Sequence, residues 1–167
     1  GIGTFAEEAM EFIRQQEPDR PTYVISHTDG RGDNVFPLID MNREDWYEPV
    51  AEKVHELNPY VVHLEHEYGL YDYVDEDGVS DQNDGFLRLM ERLEDVPTVV
   101  EPHTVHGRMK DHEEQFIHQL CPLANLVFFK CRYQFPVDLN SNHPAGMFSK
   151  PCGKSTHTRT YFQNAIV

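Results

Sequence analysis

The sequence predicts an α/β fold in which a parallel sheet is flanked by helices. Three observations carry that prediction. Stretches of helical period alternate with short apolar runs of strand length from residue 5 to residue 129. The runs at 60–64 and 97–100 open in consecutive apolar residues, as strands buried on both faces do. Polar residues and a glycine gather at their carboxyl ends: His63, Glu65, His66, Glu67 and Gly69 at the first, Glu101, His103, Thr104, His106 and Gly107 at the second. In open α/β sheets the ligand crevice lies at that end of the strands.

The totals set bounds. A chain of 167 residues, 39% apolar and 26% charged, is long enough for one domain with a core. The net charge of -15 opposes binding to nucleic acid and to anionic membrane surfaces. No apolar run reaches the roughly 18 residues of a transmembrane helix. The chain opens on Gly1 without an initiator Met or a charged-then-apolar leader, so the expectation is a fragment or a processed chain. Cys121, Cys131 and Cys152 are widely spaced and odd in number, which fits reduced thiols and a cytoplasmic location.

Taken in order, residues 5–16 read as a helix with Phe5, Ala9, Phe12 and Ile13 on one face. Thr4 is the expected N-cap, Glu7 completes a capping box, and Gly1-Ile2-Gly3 forms a glycine loop ahead of the helix. Residues 22–26 read as a strand, 27–34 as a turn-rich loop, and 35–39 as a second strand interrupted by Pro37. Residues 43–57 read as a helix, with Trp46, Val50, Val54 and Leu57 on one face. After the strand at 60–64, residues 72–85 form an acidic loop. Set on a calcium loop, it puts Tyr73 and Asp84 where Asp and Glu are required, which excludes that reading. A helix at 85–93, the strand at 97–100, a helix at 111–120 and a strand at 123–129 follow. The alternation implies βα units with right-handed crossovers. From residue 134 the period is lost. Gly153-Lys154-Ser155 is no phosphate loop, because Phe148 stands where the motif needs glycine.

Ten histidines invite a metal reading. His63 and His66, like His103 and His106, are spaced so that a strand places them on opposite faces. There is neither HExxH nor CxxC, so no metal site is assigned. His66 and His103 are instead expected to line a crevice.

Three stretches, GIGTFAEE at 1–8, VVHLEHEYGLY at 61–71 and VPTVVEPHTVHG at 96–107, together resemble the amino-terminal domain of retaining glycosyltransferases of the GT-B fold, family 4 (group 1). In that family a glycine loop after the first strand opens the first helix. A later strand ends in a motif like LQHEFGIF, and the next ends in TLHT. Here Glu65 stands for the usual Gln, Tyr68 for Phe, and Glu101-Pro102 for Thr-Leu. The resemblance covers residues 1–133 and implies an incomplete Rossmann-like domain, with 134–167 as an irregular tail. It implies sugar transfer from a nucleotide-sugar to a sugar or glycoside acceptor, with retention and with no cofactor. Carried over by motif, Gly1 and Gly3 approach the donor diphosphate. His103, the catalytic candidate, and Thr104 line the donor sugar. His66, Glu67 and Gly69 lie on the acceptor side. The family's first strand, central in its sheet, would precede Gly1, and its neighbours should therefore lack a pairing partner. The carboxyl-terminal donor domain is also missing from the sequence, so the chain alone is expected to be inactive.

Two rival readings remain. One is a non-enzymatic sugar- or ligand-binding α/β domain. The other is a metal-dependent hydrolase using His63, His66, His103 and their acidic neighbours.

Overall fold

A computed structural model describes residues 2–103 and 109–128, with side chains from residue 8 onward. Gly1, Thr104 and the 134–167 tail lie outside the described residues. The elements run α1 (Ile2–Gln16), β1 (Val24–His27), β2 (Val35–Ile39), α2 (Tyr47–Leu57), β3 (Val62–His66), a 3-10 turn (Tyr68–Leu70), α3 (Asp84–Arg92), β4 (Thr98–Pro102), α4 (Asp111–Leu123) and β5 (Leu126–Val127). The α/β class is as predicted, and every strand pairing is parallel.

The strands form two sheets, a pair β1-β2 and a triplet β3-β4-β5. Both rest on one core. Ile25 of β1, Ile39 of β2, Val62 and Leu64 of β3 and Val100 of β4 pack with Trp46 and with the apolar stripes of α2, α3 and α4. Those stripes are Val50 and Val54, then Phe86, Leu89 and Met90, then Phe116, Ile117 and Leu120. Each such buried side chain contributes about 1.5–3 kcal/mol. None of the described side chains of α1 belongs to this core.

Several element boundaries differ from the sequence expectation, each for a physical reason. Helix α1 is already wound at Ile2, so Gly3 and Thr4 sit in its first turn; Thr4 is not the N-cap and Gly3 is not in a loop. Helix α2 begins at Tyr47 rather than Arg43. Pro49 explains the shift. It has no N–H, and only in the first turn does that N–H have no intrahelical partner. Asn58 closes α2 in the left-handed region, its N–H bonded to His55 O and Val54 O.

The link from β1 to β2 is loop 28–34 and carries no helix, contrary to a regular βα repeat. The chain turns back at Gly30, whose N–H donates to His27 O at 2.9 Å. A Cβ at Gly30 would come within 1.8 Å of Ser26 Oγ, so only glycine fits. At the other end of the fold, α4 extends through Pro122 to Leu123 and shortens the last strand to Leu126–Val127. Asn125 takes over part of the pairing: its Oδ1 accepts from Thr98 N at 2.7 Å.

The acidic loop is held by its own carboxylates. Asp75 Oδ1 accepts from the N–H groups of Asp77 and Val79. Asp81 accepts from those of Tyr73, Asn83 and Gly85, which starts α3.

Candidate functional site

The site grows from the register of β3 on β4. Glu65 is the Cα partner of Glu101, and His66 that of Pro102. Side chains alternate along a strand. Val62, Leu64 and His66 therefore share one face of β3, and His63 and Glu65 the other. On β4, Val100 turns to the core and Glu101 away from it. The His103 N–H donates to His66 O at 2.8 Å, extending the ladder by one residue. This places His103 on the same face as Glu101.

Four polar side chains thus meet on the face away from α2, α3 and α4. His63 Nε2 lies 3.6 Å from Glu65 Oε1 and 3.5 Å from Glu101 Oε2. His103 Nε2 hydrogen-bonds Glu65 Oε2. The side chains of His63, Glu65 and His103 are 15–18% exposed, and that of Glu101 is 1% exposed. The sequence pattern behind the cluster is His-x-Glu on one strand and Glu-x-His on its parallel neighbour. Such a set can transfer protons, hold a cation or position a sugar hydroxyl.

His66 does not line this crevice, which corrects the expectation for it. It is fully buried. Its ring stacks on Phe116 with centroids 4.5 Å apart, and meets the edges of Phe86 at 4.7 Å and Tyr68 at 5.0 Å. Nε2 pairs with Asn83 Oδ1 at 2.9 Å, while Asn83 Nδ2 donates to Tyr68 O at 3.3 Å. With the amide so oriented, Nε2 carries the proton. Burial lowers the His66 pKa to about 4 against the weaker upward pull of Asn83, so the ring is neutral near pH 7.

The other predicted residues are dispersed. Glu67 follows β3 in extended conformation, half-buried, and leads into the 3-10 turn. Gly69 is exposed within that turn, and a Cβ there would meet nothing within 4 Å. Gly3 is in the first turn of α1, while Gly1 and Thr104 are outside the described residues. Tyr71 donates to Glu65 O at 3.0 Å, bracing the strand end from the core side. A surface groove lined by Tyr47, Leu87, Arg88, Gln119 and Leu123, among others, involves none of these residues.

No described helix is long and apolar enough to cross a membrane. No family model matches the chain, and neither a curated protein nor a solved structure matches it.

Proposed function

We propose that the chain is the acceptor-side, amino-terminal part of a retaining GT-B glycosyltransferase of the cytoplasm. In this reading it serves transfer of a sugar from a nucleotide-sugar donor to a sugar or glycoside acceptor. The observation that carries the reading is the break in the sheet. A doubly wound half has strand order 3-2-1-4-5-6. Without its first strand it becomes a pair, 3-2, and a triplet, 4-5-6, all parallel. The arrangement of β2-β1 and β3-β4-β5 has that form. The motif resemblance calls independently for a strand ahead of Gly1.

The roles are carried over from the motifs that the chain resembles. The free N–H groups at the start of α1, with Gly1 and Gly3, stabilise the charge that gathers on the diphosphate as the glycosidic bond breaks. His103 and Thr104 line the donor sugar. Glu65 accepts a hydrogen bond from His103 Nε2 and orients the ring. Glu67 and Gly69 face the acceptor. His66 acts from beneath, since its carbonyl holds the His103 N–H. Transfer of this kind requires no metal, and a donor-binding domain elsewhere in the parent chain completes the cleft.

The test is a panel of nucleotide-sugars offered to the product of the whole parent reading frame and to its His103→Ala variant. Turnover with one donor, lost in the variant, is expected. A folded two-domain protein that turns over no donor would overturn the transferase reading in favour of a sugar- or ligand-binding module.

A further inference from the structure

We infer that His63, Glu65 and Glu101 form a binding site for a divalent transition-metal cation, with His103 as the outer group that orients Glu65. The inference does not rest on the transferase reading, which needs no metal.

Geometry is the first argument. One nitrogen and two carboxylate oxygens of these residues lie within 4.8 Å of one another. Ligands bound at about 2.1 Å around a tetrahedral ion stand roughly 3.4 Å apart. The separations of 3.6 and 3.5 Å from His63 Nε2 are close to that value. They are longer than N–H···O hydrogen bonds, which cluster near 2.9 Å. Two of the three separations therefore already match those around a bound cation, and the third lies within 4.8 Å.

The second argument is how the atoms are held. Glu65 and Glu101 face each other in register on adjacent strands, and His63 lies one side-chain repeat upstream on the same face. Strands hold ligands more tightly than loops do. His103 takes the second oxygen of Glu65, so the first is left toward His63. A hydrogen bond of this kind to a ligating carboxylate fixes its orientation.

The donor set indicates the class of ion. One imidazole with two carboxylates suits zinc or manganese better than magnesium, which keeps most of its water and prefers oxygen. Among the described residues the site offers three ligands, the number a catalytic zinc site takes from its protein. Both carboxylates also stand at positions where the chain departs from the motifs it resembles, Glu65 for Gln and Glu101 for Thr. The site is therefore a feature of this chain rather than of the resemblance.

The experiment strips the full chain of metal with a chelator and titrates it with zinc, then magnesium, by calorimetry. Metal content is measured after gel filtration. Wild type should retain one zinc per chain and show no comparable heat with magnesium. Glu65→Gln and Glu101→Gln keep side-chain shape and remove a charged ligand; each should lose the retained zinc. His103→Gln should weaken zinc by about tenfold or more without abolishing it. Circular dichroism confirms that each variant is folded, and either Glu variant suffices if the other is not. Zinc retained equally by wild type and a folded Glu variant would overturn the inference by assigning binding to other histidines. Absence of retained zinc in wild type would overturn it too, while leaving the transfer assay unaffected.

Discussion

The two faces of β3 carry histidines three residues apart and treat them in opposite ways. His66 enters a cage of Phe86, Phe116, Tyr68 and Tyr71, where hydrocarbon displaces water and the ring is held neutral. His63 faces two carboxylates, one of them shared with His103. The residue type is the same, so the neighbours determine the role. The core face brings packing and one hydrogen bond; the outer face brings convergent charge. From this contrast it follows that stability should depend on the first face and chemistry on the second.

Truncation on the core face should produce the largest change. Phe86 is fully buried against His66 and Tyr71. Phe86→Ala should lower unfolding free energy by about 3–5 kcal/mol in denaturant melts. On the outer face, Glu65→Gln keeps the side chain's shape and can still accept from His103, so it should cost less, about 1–2 kcal/mol. Equal losses would erase the distinction between the faces.

Acid should act next. The His66 pKa lies below its unfolded value, so the unfolded chain takes up the proton first as pH falls. The stabilising contribution is complete above about pH 6.5 and is lost as pH falls through the folded value of about 4. The loss is on the order of 3 kcal/mol. Subtracting the profile of His66→Phe from that of wild type isolates this step from the many other acidic groups. A flat difference would show His66 to be accessible to protons in the folded state.

Asn83→Gly sharpens the same point with a smaller effect. Asn83 has φ of 67°, which glycine tolerates, so the substitution removes the side chain without backbone strain. The Nε2–H of His66 is then buried without its acceptor, at a cost of about 1–3 kcal/mol in thermal or chemical unfolding. The least effect is expected at Gly69→Ala, within about 0.5 kcal/mol, because the added methyl meets open space. If the whole parent protein performs the proposed sugar transfer, a loss of it in that variant would then report acceptor contact rather than misfolding.

Much of this was legible in the sequence. The cores of α2, α3 and α4 and of β3 and β4 follow from apolar period, and the parallel class from their alternation, whereas Phe12 of the face predicted for α1 is exposed. The boundaries were less so, because Pro49 acts through a missing N–H and Asn125 through a side chain that stands in for the ladder. Placing polar function at the ends of β3 and β4 required only the position of Glu65, His66 and His103 after apolar runs. The parity of the strand separated His63 from His66 and set His66 with Val62 and Leu64, but the aromatic cage on that face comes from Phe86 and Phe116, which arrive from α3 and α4. The meeting of Glu65 with Glu101 was hidden for a similar reason: it is a property of register between two strands separated by a loop and a helix. The His-x-Glu and Glu-x-His pattern was visible, and two adjacent parallel strands were the context needed to use it.

The most direct test of the two-faced strand is a nitrogen-15 spectrum of the imidazole rings, recorded across pH on metal-stripped chain and again with zinc. The account predicts that His66 stays in the neutral Nε2–H form to about pH 5 and is unmoved by zinc, while the His63 nitrogens shift on zinc addition. A His66 that titrates near 6.5 or shifts with zinc, or a His63 that ignores it, would contradict the account.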